Sequence, residues 1–241
     1  MHIEVWSDYV CPFCYIGKRK LEEALAAFPH KDDVKVEYKS YLLDPNSPPY
    51  TGQDYFETLA KKFGSVEQVK QMTANVAEQA KLVGLDYDFD TMKPTNTMTA
   101  HRLTKFAEAK GKDLEMTEAL LQAHFLDGKD VGDTDTLVTI ATDLGLDADA
   151  ARTAIEDETA YKAEVDADLA QAQEFQITGV PFFIFNRKYA LSGAQPTETF
   201  TQALEKIYEE TKKESPFQSL DTDSGAACDD EGNCEIPNQE N

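Results

Sequence analysis

Polar and apolar residues alternate along His2-Ile3-Glu4-Val5-Trp6-Ser7, the pattern of a β-strand with one face buried. After Asp8-Tyr9-Val10 the period changes. Cys14, Leu21, Leu25 and Phe28 are spaced as one face of a helix. Pro12 suits the first helical position, because it has no amide hydrogen to leave unpaired and its φ is already helical. Val34–Leu43 reads as a second strand, completing a βαβ unit before the break at Asp44-Pro45-Asn46-Ser47-Pro48-Pro49. The region 50–175 is then almost wholly helical in pattern. Ser65 predicts the cap of a helix whose inward face is Val66, Val69, Met72, Val76, Ala80 and Val83. Leu103, Phe106 and Ala107 mark another helix, Met116, Leu120 and Ala123 a third, and Leu137, Ile140, Ala141 and Leu144 a fourth. Tyr161, Val165, Leu169 and Ala172 mark a long last one. Strand character returns at Val180–Phe185, a continuous apolar run suited to burial on both faces. Tyr189–Ser192 follows a turn at Asn186-Arg187-Lys188, and Pro196 opens a final amphipathic helix through Phe200, Ala203, Leu204, Ile207 and Tyr208. The expected fold class is α/β: βαβ in 1–48, an all-helical insertion in 49–176, ββα in 177–211, and a separate tail in 212–241.

The chemistry-bearing residues sit at the first change of period. Cys11 falls at the N-cap of the first helix, and Cys14 lies one turn in, on its buried stripe. The free amides and positive end of a helix N-terminus stabilise negative charge, so they favour a thiolate at Cys11. The pattern predicts an exposed attacking thiol at Cys11 and a sheltered, protonated resolving thiol at Cys14. A Cys-x-x-Cys can also be half of a zinc site, which needs two more ligands at tetrahedral distance. The only other cysteines, Cys228 and Cys234, lie far away in the tail. A strand–Cys-Pro-x-Cys–helix context favours redox chemistry, with no metal or cofactor.

Composition narrows the partners. The chain has 241 residues and 41% hydrophobic content, enough for a large core. Its formal charge of −22 argues against nucleic acid and anionic membranes. The N-terminal residues lack a basic segment followed by an apolar run, and no stretch approaches a membrane span, so a cytoplasmic protein is expected. In a reducing compartment a Cys-x-x-Cys is more often catalytic than structural. Residues 212–241 hold two lysines against eight acidic residues, the composition of a flexible tail.

Pro181 stands where a buried strand should begin, a place that tolerates proline only at its first position. A cis bond there would turn the Val180 backbone toward the Cys11 sulfur, where an extended substrate can pair with it. An ordinary trans proline is the alternative. The order of several motifs then resembles a known family. Asp8-Tyr9-Val10-Cys11-Pro12-Phe13-Cys14-Tyr15-Ile16-Gly17 is followed by Asn96-Thr97 with Ala100-His101-Arg102, and by Ala123-His124-Phe125 with Gly128. Gly179-Val180-Pro181-Phe182-Phe183 and Gly193-Ala194-Gln195 complete the set. Over residues 1–210 the chain resembles the DsbA-like branch of the thioredoxin superfamily, and within it the FrnE-type cytosolic oxidoreductases. The resemblance implies a thioredoxin fold with a helical insertion, and a cis Pro181 facing Cys11. It also implies thiol–disulfide exchange or isomerisation by Cys11 and Cys14, with Val180, Pro12 and Phe13 meeting the substrate. The implied partners are protein or small disulfides and a cellular thiol reductant or oxidant.

Departures from that pattern carry information. The periplasmic DsbA oxidases usually have His at the position of Phe13. Phenylalanine offers the thiolate neither a hydrogen bond nor a charge. The expected couple is therefore less oxidising than DsbA at about −120 mV, lying at about −150 to −230 mV. Kappa-class glutathione transferases and hydroxychromene-carboxylate isomerases are similar in architecture but usually place Ser at the position of Cys11. Glutathione-dependent transfer or isomerisation is the alternative enzyme class, and a zinc-linked binding module is the third reading. FrnE-like proteins can carry an extra C-terminal cysteine pair, usually spaced one residue closer than Cys228 and Cys234. These two are a possible auxiliary redox pair, although their acidic neighbours disfavour a thiolate. His101, Arg102 and His124 are expected to be satisfied packing residues, Asp8 to fix its loop, and Gly17 to permit close backbone packing.

Overall fold

The computed structural model describes residues 1–213 and, in the tail, the backbone of two short segments, Ala227–Cys228 and Cys234–Glu235. These segments pair antiparallel with Cys228 opposite Cys234. The side chains of that expected auxiliary pair lie outside the described residues.

Strand β1 (His2–Ser7) leads into helix α1 (Pro12–Ala27) and returns as β2 (Lys35–Ser40), parallel to β1 with Val5 opposite Tyr38. Strand β3 (Phe182–Phe185) pairs antiparallel with the other edge of β1, and β4 (Tyr189–Ser192) with β3. The sheet order is therefore β2-β1-β3-β4. Helix α9 (Thr197–Lys213) closes the unit. Ile3, Val5, Phe183 and Phe185 on one sheet face pack against Leu21 and Ala24 of α1 and Phe200 and Leu204 of α9.

Seven helices separate β2 from β3: α2 (Tyr55–Phe63), α3 (Val66–Lys81), α4 (Met98–Glu108), α5 (Asp113–Phe125), α6 (Thr134–Asp143), α7 (Ala148–Glu156) and α8 (Lys162–Glu174). Their starts are written locally. Ser65 caps α3 in a reciprocal box with Gln68, and the side chains of Asp54, Asp133 and Asp147 accept backbone amides at the starts of α2, α6 and α7. Helix α4 runs through the middle of the insertion, buried from Ala100 to Ala107. The periodicity marked α3, α4, α5, α6 and α8. It did not separate α2 or α7 from the general helical pattern.

Three expectations are corrected. Strand β1 is buried on both faces, not one: Trp6 packs against Ala172 and Ile177, and Glu4, 1% exposed, is neutralised by two hydrogen bonds from Arg187 at 3.0 and 3.1 Å. Strand β2 ends at Ser40: the Tyr41 amide makes the last bond to β1, to the Ser7 carbonyl at 3.1 Å, and the Leu43 amide turns to the Asp8 side chain at 2.8 Å. Met72 points outward, while Val69, Val76 and Ala80 form the buried stripe of α3.

The insertion is fastened to the sheet by polar groups. Asp168 of α8 accepts from the Ser40 amide at 2.9 Å and from Lys105 of α4 at 2.8 Å, and its carbonyl accepts from Trp6 Nε1 at 3.1 Å. Glu118 of α5 binds Lys18 at 2.5 Å and the Tyr15 hydroxyl at 2.6 Å, both on α1. Burial alone raises the Glu118 pKa, but Lys18, Tyr15 and Arg19 together outweigh it and hold the carboxyl below its ordinary range.

Gly17 fits its expected role. A Cβ there would meet Pro181 Cγ at 3.1 Å and Phe183 Cζ at 3.2 Å. Gly17→Val overfills this contact between α1 and β3. The expected result is a loss of about 1–3 kcal/mol in chemical denaturation, although valine has the better helix propensity. An unchanged midpoint would show that the contact yields.

Candidate active site

Cys11 is the N-cap of α1 and Pro12 its first residue. The Cys11 amide donates to the Asp8 carbonyl at 3.1 Å, and the Cys14 amide to the Cys11 carbonyl at 3.0 Å, so both sulfurs are held at the helix start. The peptide between Val180 and Pro181 is cis. Cys11 Sγ donates to the Val180 carbonyl at 3.5 Å across 169 residues of sequence. The structure thus brings Cys11, Cys14, Val180 and Pro181 together. Phe13 is exposed, and Pro12 and Val180 are half-buried, forming a rim beside the covered sulfur.

The expected contrast between an exposed and a sheltered thiol is corrected. Cys11 is only 4% exposed, against 2% for Cys14. The Val180 backbone faces the sulfur, and Tyr55 and Tyr87 of the insertion stand within electrostatic reach of it. The Tyr87 hydroxyl also donates to the Pro12 carbonyl at 2.8 Å. These two tyrosines were missed in the sequence. Their nearest signal was the aromatic spacing of Tyr87 and Phe89 in a segment without helical period.

The two sulfurs still differ chemically. Burial pushes the Cys14 thiol well above its ordinary pKa, and the neighbouring Cys11 pushes it further. The Ser7 hydroxyl and the Asp8 amide oppose this rise, although Ser7 Oγ makes no hydrogen bond of ordinary geometry to any group. Cys14 is therefore a thiol that ionises only with help.

Asp8, 1% exposed, fixes its loop as expected. Its Oδ1 accepts from the Thr97 hydroxyl at 2.7 Å and its Oδ2 from the Leu43 amide. Arg102 is a satisfied packing residue, donating to the carbonyls of Ala154 and Ile155 at the end of α7. The two histidines are not satisfied: His101 Nε2 and His124 Nδ1 are buried without a hydrogen-bond partner. Among the described residues no group of three or more His, Cys, Asp or Glu stands close enough to hold a metal ion, and no helix is long and apolar enough to cross a membrane.

Burial pushes His124 from 6.5 down to about 4, against the opposing pull of Asp8. Below pH 6.5 the unfolded chain binds a proton here that the folded protein refuses until about pH 4. This residue's contribution is thus whole above the unfolded value and is lost as pH falls through that window, by roughly 3 kcal/mol at most. His124→Gln removes the loss. Urea midpoints measured across the window should fall less steeply for the variant than for the wild type. Parallel slopes would contradict this.

Comparison with known proteins follows the same architecture. The DSBA-like thioredoxin domain model matches residues 2–205. The crystal structure of a probable DsbA oxidoreductase from Streptomyces coelicolor is 39% identical and superposes with a TM-score of 0.85, covering 99% of this chain and 100% of that one. The Bacillus subtilis protein YwbO is 30% identical over 214 residues, which are 88% of this chain and 98% of that protein. A 2-hydroxychromene-2-carboxylate isomerase structure shares the fold at 13% identity and a TM-score of 0.65, over 88% of this chain and 98% of that one. A domain match over residues 2–205, together with relatives of this identity and coverage, shows that the chain belongs to the DsbA-like thioredoxin domain family.

Proposed function

We propose that the protein is a thiol–disulfide oxidoreductase whose working groups are Cys11 and Cys14. The observation that carries this reading is the pairing of a helix-cap sulfur with a deeply buried, hard-to-ionise one. Cys11 sits at the positive end of α1 and faces the Val180 carbonyl, while Cys14 lies one turn inward.

In the reducing direction the Cys11 thiolate attacks a substrate disulfide. The substrate S–S bond breaks, one half leaves as a thiolate that takes up a proton, and the other half becomes a mixed disulfide with Cys11. Cys14 then loses its proton and attacks the Cys11 sulfur. The second substrate half departs as a thiol, and the protein is left with a Cys11–Cys14 disulfide. Two electrons have moved from the dithiol to the substrate. A cellular thiol or disulfide partner resets the couple, and the reverse sequence oxidises a substrate dithiol. Isomerisation uses the first step, after which another thiolate of the same substrate attacks the mixed disulfide, forms the new substrate S–S bond and releases the Cys11 thiolate, with no net electron transfer. Pro12, Phe13 and Val180 supply an apolar rim, which suits a peptide or small disulfide with an apolar group beside the sulfur. A reducing, cytoplasmic setting belongs to the same proposal, since there a Cys-x-x-Cys works as a redox couple more often than as a staple.

The proposal extends to the tail, where Cys228 and Cys234 stand opposite each other in backbone register. They are a second dithiol that exchanges with Cys11. Replacing both with Ser should lower turnover. Unchanged turnover and oxidation state would remove that role.

The main test uses insulin reduction with two single variants. Cys11→Ser should abolish turnover to the background level. Cys14→Ser should retain the first step and accumulate a mixed disulfide on Cys11, visible by mass spectrometry. Full activity of Cys11→Ser would overturn the reading.

A further inference from the structure

Tyr87, in the segment between α3 and α4, is fixed by its ring and reaches the helix start through its hydroxyl. The ring stacks on Phe125 of α5 with centroids 4.8 Å apart, lies nearly parallel to Tyr15 of α1 at 6.3 Å and meets Phe89 edge-on at 5.8 Å. The hydroxyl donates to the Pro12 carbonyl at 2.8 Å, across 75 residues of sequence. Burial holds this phenol well above its ordinary pKa, so it stays a donor wherever the protein works.

The bond falls on the peptide group that links Pro12 to Phe13, between the two cysteines. A helical carbonyl accepts from the amide four residues on and has a second lone pair, which Tyr87 takes. At the other end of the same peptide group stands the Phe13 N–H, at the second helical position, from which an N-cap side chain accepts. The rest of the first turn is closed to the cap, since Pro12 has no N–H and the Cys14 amide donates to the Cys11 carbonyl at 3.0 Å. The Phe13 amide has no acceptor among the described residues. The Cys11 thiol leaves it unused: Sγ donates to the Val180 carbonyl at 3.5 Å and makes no cap bond. A thiolate has no proton to give Val180, and the free donor at its position is the Phe13 amide.

We propose that Tyr87 is a positioning residue for Cys11, holding the Pro12 carbonyl so that the Phe13 amide of the same peptide group becomes a stronger donor to the Cys11 thiolate. The inference rests on the reading of Cys11 as the attacking sulfur. Hydrogen bonds in a chain polarise one another, by about 10–30% per bond. Electron density drawn toward the Tyr87 hydroxyl leaves the Phe13 amide proton more positive. The Phe13 side chain gives the sulfur no hydrogen bond and no charge, so the backbone of that residue does this work.

The other ionisable groups around the helix start are committed elsewhere or neutral. Asp8 has Oδ1 on the Thr97 hydroxyl and Oδ2 on the Leu43 amide, with His101 Nε2 at 3.5 Å from Oδ1. Glu118 of α5 is engaged by Lys18, Arg19 and Tyr15. Burial raises Tyr55 of α2 and Cys14 above their ordinary pKa values and keeps both uncharged. Of these groups Tyr87 is the one bonded to the peptide between the cysteines.

The test follows alkylation of Cys11 by iodoacetamide in the fully reduced protein from acid to alkaline pH, with peptide mapping to separate it from Cys14. Tyr87→Phe keeps the ring stack and removes only the donor. Its alkaline plateau should match or exceed that of the wild type, while the midpoint of its profile moves up by about 0.3–0.5 pH unit, a loss of thiolate at a given acid pH of about two- to threefold. A merely structural role would lower the plateau and leave the midpoint in place, and an unmoved midpoint overturns the proposal. A second measurement needs no variant of Tyr87. The Phe13 amide proton of the wild type, followed by NMR, should move downfield with the midpoint of Cys11 alkylation and stay in place in Cys11→Ser. A Phe13 resonance that ignores this transition also overturns the proposal. Failure of the parent reading looks different: glutathione disulfide would produce no Cys11–Cys14 bond in the wild type, whatever the alkylation profiles show.

Discussion

A carboxyl group sealed from water is tolerated only when its oxygens are hydrogen-bonded, and the organisation of this protein follows from that requirement at Asp8. One oxygen takes the Thr97 hydroxyl at the entrance to α4, and the other takes the Leu43 amide just past β2. Its backbone carbonyl holds the Cys11 amide. Three segments far apart in sequence are thereby fixed around the start of α1, the place where Cys11 and Cys14 stand. Losing Asp8 would not remove a reacting group, but it would release the loop, the exit of β2 and the insertion from one another.

The same economy of buried polar groups ties the helical insertion to the sheet. Asp168 serves Ser40, Lys105 and, through its carbonyl, Trp6, while Glu118 gathers Lys18, Arg19 and Tyr15. Because the insertion is anchored at both β2 and α1, Tyr87 is held against the start of α1, with its hydroxyl on the Pro12 carbonyl.

Much of this was legible in the sequence because its signals are local. The Pro12 position, the Ser65 cap and the apolar run at Val180–Phe185 each depend on neighbours within a few residues, and each predicted its element, although the strand itself starts only at Phe182, after Pro181. What could not be read depends on contacts across the chain. Glu4 reads as the solvent side of an alternating strand until Arg187 and α8 cover that face. Cys11 reads as exposed until the Val180 carbonyl, 169 residues along the chain, comes to face its sulfur. His101 reads as an ordinary packing histidine, since nothing in its surroundings on α4 shows that Nε2 is buried without a hydrogen-bond partner, 3.5 Å from the Asp8 carboxylate.

The central claim is that Cys11 and Cys14 form one two-electron couple, tempered by a phenylalanine where stronger oxidants carry histidine. Equilibration in glutathione buffers, with thiol trapping and peptide mapping at each potential, tests it most directly. The account predicts a single transition in which a Cys11–Cys14 disulfide forms, with a midpoint at about −150 to −230 mV. A midpoint above about −130 mV would contradict the role given to Phe13. The absence of any Cys11–Cys14 bond across the range would contradict the couple itself.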